Sequence, residues 1–187
     1  MEKLKDLLIV AGGGRNVGKT EFVCRLIEQC SIRHEIYGLK VSAMHPDEAL
    51  FHGDHSTQKF STTLYEETSY DQEKDTSRML RAGARKVFYL QGENEQIRAG
   101  FQEFQRMIPV AAPVICESSS LWKYVRPGLL VLVKAAHIEI KPRALEIADH
   151  ASLIVESDGL SGFSQLDSIS YSEVDGWTYH LGRPGHE

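Results

Sequence analysis

The sequence has too few cysteines for a disulfide framework and no apolar run long enough to span a membrane. It has three cysteines among 187 residues, and none of its apolar stretches reaches the roughly 18 to 20 residues that a transmembrane helix needs. It also lacks a basic excess, with 26 acidic and 21 basic residues. Nucleic-acid binders usually carry such an excess, because phosphate contacts supply most of their non-specific affinity. These absences favour a cytoplasmic protein that binds neither nucleic acid nor a membrane.

Length and composition are those of one globular domain. Hydrophobic residues make up 42% and charged residues 25% of the chain, both close to the averages for soluble domains. We therefore expect a single domain over residues 1–187, with a long polar segment at 42–74 and a Gly- and Ser-rich tail at 157–187. Trp177 and Tyr179 predict that the tail packs against the domain. The cysteines lie in apolar surroundings, so we expect buried, reduced thiols at Cys24, Cys30 and Cys116.

Apolar runs alternate with amphipathic segments along most of the chain. The predicted strands are residues 7–11, 36–41, 62–65, 86–90, 113–117, 128–134 and 151–156. The predicted helices are residues 18–30, 76–83 and 93–107, with a further helix that begins at Pro142. This alternation predicts an α/β fold, with a mostly parallel sheet and helices on both faces. Because such sheets bind ligands at the carboxyl ends of their strands, polar residues after the strands should meet at one edge.

A glycine-rich loop follows the first predicted strand. Residues 13–20 match the P-loop pattern G-x-x-x-x-G-K-[ST] and comprise Gly13, Gly14, Arg15, Asn16, Val17, Gly18, Lys19 and Thr20. Backbone N–H groups of such a loop, with the N-terminus of the following helix, bind phosphate oxygens. Lys19 would reach the β- and γ-phosphates, and the Thr20 hydroxyl would coordinate Mg²⁺. The motif lies between a buried strand and an amphipathic helix, which predicts a three-layer P-loop NTPase fold.

A magnesium nucleotide site of this kind also needs an acidic residue at the end of a buried strand. Glu117 ends the apolar run at 114–116, so we expect it to bind Mg²⁺, directly or through water, and to orient either a metal-bound water or the attacking water. Glu156 or Asp158, after the last predicted strand, is an alternative for that role. Glu21, which directly follows the motif, is also placed among the nucleotide-site residues.

Base recognition has a weaker signal in the sequence. Lys134 ends the longest apolar strand, and its stem could lie over a purine face. His137 stands where guanine-specific P-loop proteins often carry an aspartate, so the pattern leaves both GTP and ATP open. His45, His52 and His55 lie in the polar segment and could bind a metal, but they lack a ligand spacing, and a solvated loop is the simpler interpretation.

Four stretches in a fixed order resemble the MobB-type proteins of molybdopterin-guanine dinucleotide biosynthesis. They are the P-loop at 13–20, Gly-x-Lys at 38–40, Lys-Asp-Thr-Ser-Arg at 74–78 with Ala-Gly-Ala at 82–84, and the strand ending in glutamate at 114–117. The resemblance covers residues 6–120 or so. It implies a homodimer that binds GTP with Mg²⁺, hydrolyses it slowly, and assists a nucleotidyltransferase partner that attaches GMP to the molybdenum cofactor. It also implies that Lys40, Asp75 and Glu117 lie near the same site. The residues themselves leave two interpretations of the stretch at 75–78 open: Asp75 or Thr76 could cap the helix that follows, or Asp75, Thr76 and Arg78 could reach into the nucleotide or substrate site.

Two other functions remain open from the sequence. A P-loop kinase for a small metabolite would share the fold and the motif, and Arg78, Arg81 and Arg85 could clamp its transferred phosphoryl group. A non-catalytic switch would bind nucleotide only to change a partner surface.

Overall fold

The structure is a computed structural model that describes residues 2–14, 16–43, 57–59, 63–136, 142–159 and 162–180. The strands are β1 (Lys3–Gly12), β2 (Tyr37–Ala43), β3 (Thr57–Lys59), β4 (Leu64–Glu67), β5 (Lys86–Gly92), β6 (Val114–Glu117), β7 (Arg126–Ala135), β8 (Leu153–Ser157), β9 (Ile169–Ser172) and β10 (Gly176–Tyr179). The helices are α1 (Lys19–Ser31), α2 (Asp75–Arg81), α3 (Asn94–Met107) and α4 (Pro142–His150), with short 3₁₀ turns at Leu121–Lys123 and Leu166–Ser168.

Eight strands form one central sheet in the order β3-β4-β5-β2-β6-β1-β7-β8. From β5 to β8 all neighbours pair in parallel, whereas β4 is antiparallel to both β5 and β3. Except for β7 and β8, adjacent strands of the parallel part are not consecutive in the chain, because parallel strands need crossover connections. The predicted α/β fold with a mostly parallel sheet is confirmed.

Helices cover both faces of this sheet, and β1 shows why. Leu8 and Val10 belong to a buried cluster that includes residues of α1 and α2. Leu7, Ile9 and Ala11 belong to a second cluster with residues of α3 and α4. Successive side chains of a strand point to opposite faces, so an unbroken apolar run supplies both cores. The result is the predicted three-layer arrangement.

The helices bury the faces that their apolar spacing predicts. In α3, Ile97, Phe101 and Phe104 are buried at intervals of three and four residues, which places them on one side of the helix. Each such side chain contributes about 1.5–3 kcal/mol by leaving water. A capping box between Glu93 and Gln96 fixes the start of α3, and it binds backbone N–H groups that would otherwise lack partners.

Several boundaries differ from the sequence prediction for local reasons. β1 begins at Lys3 rather than at residue 7, because its polar first residues pair with the start of β7. α1 begins at Lys19, since Gly18 has a left-handed backbone with φ of 85°. The short strand β3 lies in the polar segment, where its side chains give no apolar alternation, and the sequence did not predict it.

The C-terminal tail forms a hairpin of β9 and β10, two strands that the sequence did not predict. Trp177 is 2% exposed, and its indole N–H donates to the carbonyl of Asp6 over 2.9 Å. The Tyr171 hydroxyl donates to the Asp6 carboxylate over 2.9 Å. The hairpin therefore packs on β1, as the aromatic residues of the tail predict.

The three cysteines are free and buried, as predicted. Burial raises the pKa of the Cys24 and Cys30 thiols to about 11, so both are protonated at neutral pH and are poor nucleophiles. Among the described helices, none is both long and apolar enough to cross a membrane.

Candidate functional site

The P-loop connects the end of β1 to the start of α1. The Gly13 N–H donates to the Val133 carbonyl over 2.8 Å, which fixes the loop to the neighbouring strand β7. A β-carbon at Gly18 would lie 2.9 Å from the Ser157 hydroxyl, and the φ of 85° is strained for any other residue. Glycine at this position therefore meets both a conformational and a steric requirement. Arg15 lies outside the described residues.

Lys19 begins α1 and extends its side chain back over the end of β1. A β-carbon at Gly12 would lie 2.9 Å from the Lys19 ammonium nitrogen, so the absence of a side chain at Gly12 gives Lys19 its path. The ammonium group thus lies at the carboxyl edge of the sheet, where the loop turns.

Glu117 ends β6 and faces this loop from the adjacent strand. Its Oε2 atom accepts a hydrogen bond of 2.9 Å from the Thr20 hydroxyl. Its Oε1 atom accepts one of 3.3 Å from the ammonium group of Lys40. Strand register explains the second contact, because Lys40 of β2 and Glu117 of β6 are directly opposite partners.

Asp75 completes the cluster of charges around Lys40. As the first residue of α2, it accepts a hydrogen bond from the Lys40 ammonium group. Burial lowers the pKa of Lys40, but attraction to Glu117 and Asp75 outweighs burial and the net pKa is raised. Burial raises the pKa of Asp75, but the Lys40 charge outweighs it and the net pKa is lowered. Lys40 and Asp75 are therefore both ionised at neutral pH.

A second charged group surrounds Glu21, in the first turn of α1. Its Oε1 accepts a hydrogen bond from Arg25 and its Oε2 one from Arg78, each over 2.8 Å. The hydrogen bond from Arg25 is the main cause of a lowered pKa for Glu21, and the positive charge of Arg78 adds to it. Glu21 thus links α1 to α2 beside the P-loop.

These groups line one cleft of about 890 Å³ at the carboxyl edge of the sheet. The predicted site residues that line it are Asn16, Val17, Gly18, Lys19, Thr20, Glu21, Lys40, Asp75 and Glu117. Lys134 is not among its lining residues. Lys134 instead forms an ion pair of 2.6 Å with Glu156, next to Gly13.

The structure adds lining residues that sequence reasoning did not single out: Ser42, Glu73, Lys74 and Tyr89. Tyr89 is opposite Lys40 in the pairing of β2 with β5. In the sequence it sits inside an apolar strand and looks like any core aromatic, so it carries no signal of its own. Ser42 follows the Gly-x-Lys stretch by two residues, and that period-two spacing to Lys40 is the signal that could have placed it on the same face.

A smaller cleft of about 460 Å³ lies on the other side of the loop. Asn16, Val17, Gly18 and Glu21 border both clefts. Asp158 and Ser157, at the end of β8, line only the smaller one. The structure therefore places Asp158 away from Thr20 and on the opposite side of the loop from Glu117.

The residues that could bind a metal ion beside the P-loop offer oxygen ligands. The Thr20 hydroxyl and the Glu117 carboxylate are hard ligands that suit Mg²⁺, and the described part of the chain contains no group of three or more His, Cys, Asp or Glu side chains that could form a cage. That fits an ion whose remaining ligands are phosphate oxygens and water. His45, His52, His55 and His137 lie outside the described residues.

Of the three arginines suggested for a phosphoryl clamp, the structure brings only Arg78 to the cleft. Arg81 donates to the carbonyls of Tyr70 and Gln72. Arg85 is largely exposed and lies 3.9 Å from Glu35.

Comparison of the chain with protein-family models, with curated proteins and with solved structures gave no match. The fold and the site define an α/β protein with a P-loop-like three-layer arrangement and a charged cleft at the carboxyl edge of its parallel sheet.

Proposed function

We propose that the protein binds a nucleoside triphosphate together with Mg²⁺ and hydrolyses it slowly, in an accessory role. One observation carries the proposal. The P-loop sequence lies between a buried strand and a helix, and the Thr20 hydroxyl at its end contacts the carboxylate of Glu117 on the adjacent strand over 2.9 Å. A hydroxyl and a carboxylate at the carboxyl edge of a parallel sheet are the protein ligands that a magnesium nucleotide site of this class uses.

Each residue then has a distinct task. The backbone of residues 13–18 and the start of α1 bind the phosphate oxygens, and Lys19 neutralises charge on the β- and γ-phosphates. Thr20 and Glu117 would hold Mg²⁺, which when bound supplies positive charge to the β- and γ-oxygens. Lys40 and Asp75 fix the carboxylate of Glu117 through the hydrogen bonds that link them.

In hydrolysis, the oxygen of a water molecule forms a bond to the γ-phosphorus. The bond between that phosphorus and the bridging oxygen breaks, and its electron pair stays on the nucleoside diphosphate. Both protons of the water leave with the phosphate product, as dihydrogen phosphate. We assign to Glu117 the orientation of the attacking water, because its carboxylate ends a buried strand and accepts a hydrogen bond of 2.9 Å from the P-loop hydroxyl of Thr20.

The resemblance to MobB-type proteins extends this proposal to GTP rather than ATP, to a homodimer, and to a nucleotidyltransferase as partner. These extensions rest on the four stretches of sequence named above. The buried, reduced cysteines support a cytoplasmic location.

A small-molecule kinase is the second candidate. The cleft continues past Glu117 to Ser42 and Tyr89, which leaves space for a phosphate acceptor beyond the P-loop. A kinase commonly clamps the transferred phosphoryl group with several arginines. Only Arg78 of the three candidates reaches the cleft, so this observation favours a kinase less.

Thermal unfolding with GTP, with ATP and without nucleotide, each with Mg²⁺ or with a chelator, tests the proposal. A ligand at a hundredfold excess over its Kd stabilises the folded state by about 2.7 kcal/mol. At roughly 2–4 °C per kcal/mol for a domain of this size, the Mg²⁺-dependent rise in Tm should be about 5 to 10 °C, and larger with GTP.

The other outcomes are equally informative. A larger shift with ATP, followed by turnover that rises when a metabolite is added, would favour the kinase. Binding without measurable turnover would favour the non-catalytic switch. No shift with either nucleotide would contradict the proposed function.

A further inference from the structure

Arg78 is the only arginine among the described residues that line the larger cleft. It lies on α2, one turn after Asp75, and its guanidinium group reaches across to α1. There it donates to Glu21, the residue that directly follows Thr20 in the P-loop motif. The positive charge of Arg78 therefore lies beside the first turn of α1, where the P-loop would hold phosphates.

Among the described residues, most of the hydrogen-bonding capacity of the Arg78 side chain is unused. A guanidinium group has five N–H donors, and in the described part of the chain the Arg78 side chain has one hydrogen bond, that of 2.8 Å to Glu21. Its remaining donors are available to a second acceptor in the cleft. Planar, bidentate donation to phosphate oxygens is the recognition for which arginine is best suited.

The contact between Arg78 and Glu21 is also weak enough for Arg78 to exchange Glu21 for another acceptor. The side chains of Arg78 and Glu21 are 32% and 45% exposed, and ion pairs of such exposure contribute little to stability. Glu21 would not be left alone, because its other oxygen already accepts a hydrogen bond from Arg25. Arg78 can therefore leave Glu21 without creating an unpaired carboxylate.

We propose that Arg78 is a catalytic arginine supplied by the same chain, which leaves Glu21 when nucleotide binds and donates to the transferring γ-phosphoryl group. The inference rests on the proposed function and adds a residue to its chemistry. As the bond to the bridging oxygen breaks, negative charge spreads over the γ- and bridging oxygens. An arginine that donates hydrogen bonds to these oxygens stabilises the transition state more strongly than it stabilises the bound nucleotide before reaction.

Single-turnover hydrolysis of GTP with Mg²⁺ by wild type, Arg78→Ala, Arg78→Lys and Arg85→Ala tests this role. Arg85→Ala is the matched control, because it removes an arginine close by in sequence that lies at the surface. Arginines of this kind accelerate hydrolysis by 10³-fold or more. We expect about that loss in Arg78→Ala, a similar loss in Arg78→Lys, nucleotide Kd values within about tenfold of wild type, and an unchanged rate in Arg85→Ala.

A transition-state analogue separates catalysis from a structural role. With GDP, Mg²⁺ and aluminium fluoride, wild type should form a complex with a higher Tm than with GDP alone, and Arg78→Ala should lose that increment. The Tm values without nucleotide show whether the variants fold. If Arg78→Ala does not fold, Arg78→Lys, which keeps the positive charge, takes its place in the test.

The outcomes distinguish the two proposals. Wild type that binds nucleotide through Lys19, with Arg78→Ala hydrolysing at the wild-type rate, overturns the role of Arg78 and leaves the proposed function standing. Nucleotide binding with no turnover in wild type overturns it as well, because no catalysis then depends on Arg78. If wild type does not bind nucleotide, both proposals fall together.

Discussion

Lys40→Met tests the cluster of charges beneath the P-loop. The substitution removes an ammonium group that lies between the carboxylates of Asp75 and Glu117, while methionine keeps a similar length. The two carboxylates then face each other without a cation. Because Glu117 is only 7% exposed and Lys40 22% exposed, water cannot fully replace the lost partner.

The expected loss in the free energy of unfolding of Lys40→Met follows from this partial burial. Removing one partner of a fully buried ion pair costs about 3–5 kcal/mol. Asp75 is 34% exposed and can regain water, so we expect the lower end, about 3 kcal/mol. At roughly 2–4 °C per kcal/mol, the Tm should fall by about 6 to 12 °C.

Chemical denaturation of wild type, Lys40→Met and Lys123→Met at about pH 7 measures the effect. Lys123 forms a comparable pair of 3.0 Å with Glu146, but both side chains are about half exposed, and such surface pairs contribute about 0–1 kcal/mol. Equal destabilisation by the two substitutions, or a loss below about 1 kcal/mol in Lys40→Met, would refute the reasoning.

The pH dependence gives a second readout of the same variant. The pKa of Asp75 is lowered below its ordinary value of 3.8, so its contribution to stability is present above that value and is lost as pH falls through the lowered folded pKa. In Lys40→Met, protonation of Asp75 relieves its repulsion with the Glu117 carboxylate. The difference in stability between wild type and the variant should therefore be smaller at about pH 4 than at about pH 7.

Three further substitutions test other parts of the structure. Trp177→Ala should destabilise the protein by about 3–5 kcal/mol in denaturant, as removal of a large buried side chain does, and a loss near zero would show that the hairpin does not pack on β1. Gly18→Ala should cost more in Tm than Gly159→Ala, since both have positive φ but only Gly18 would place a β-carbon 2.9 Å from Ser157; equal losses would contradict the steric argument. Glu117→Gln should abolish most of the Mg²⁺-dependent part of the nucleotide-induced Tm shift, and an undiminished shift would exclude Glu117 as a ligand.

The sequence predicts the central sheet well because each buried strand has a strong local signal. The run at residues 7–11 is apolar at every position, as in a strand that is buried on both faces, and the glycines that follow it limit it to the length of a strand. The first four strand residues, 3–6, were missed because they lack an apolar pattern. They extend the strand through tertiary contacts instead, the pairing of Lys3 and Leu4 with the start of β7. The hairpin of β9 and β10 was missed for the same reason, although Trp177 indicated that this part of the chain packs.

The candidate site was predictable where it depends on one motif and on strand ends. Lys19, Thr20 and Glu117 follow from the P-loop pattern and from the rule that parallel strands end at one edge. Lys40 entered through the resemblance alone, whereas Asp75 was also a candidate at the start of a predicted helix. The structure brings the two side chains into contact. Tyr89 and the pairing of Arg78 with Glu21 depend on strand register and on how α2 lies against α1, which no local pattern encodes.

The most direct test of nucleotide binding is a titration of wild type and Lys19→Ala with a fluorescent GTP analogue in the presence of Mg²⁺. We predict saturable binding by wild type and a Kd larger by about tenfold to a hundredfold in Lys19→Ala, since a hydrogen bond to a charged group contributes about 1.5–3 kcal/mol. The Tm of the variant without nucleotide should match wild type. Equal Kd values for the two proteins, or no saturable binding by wild type, would contradict the assignment of residues 13–20 as a phosphate-binding loop.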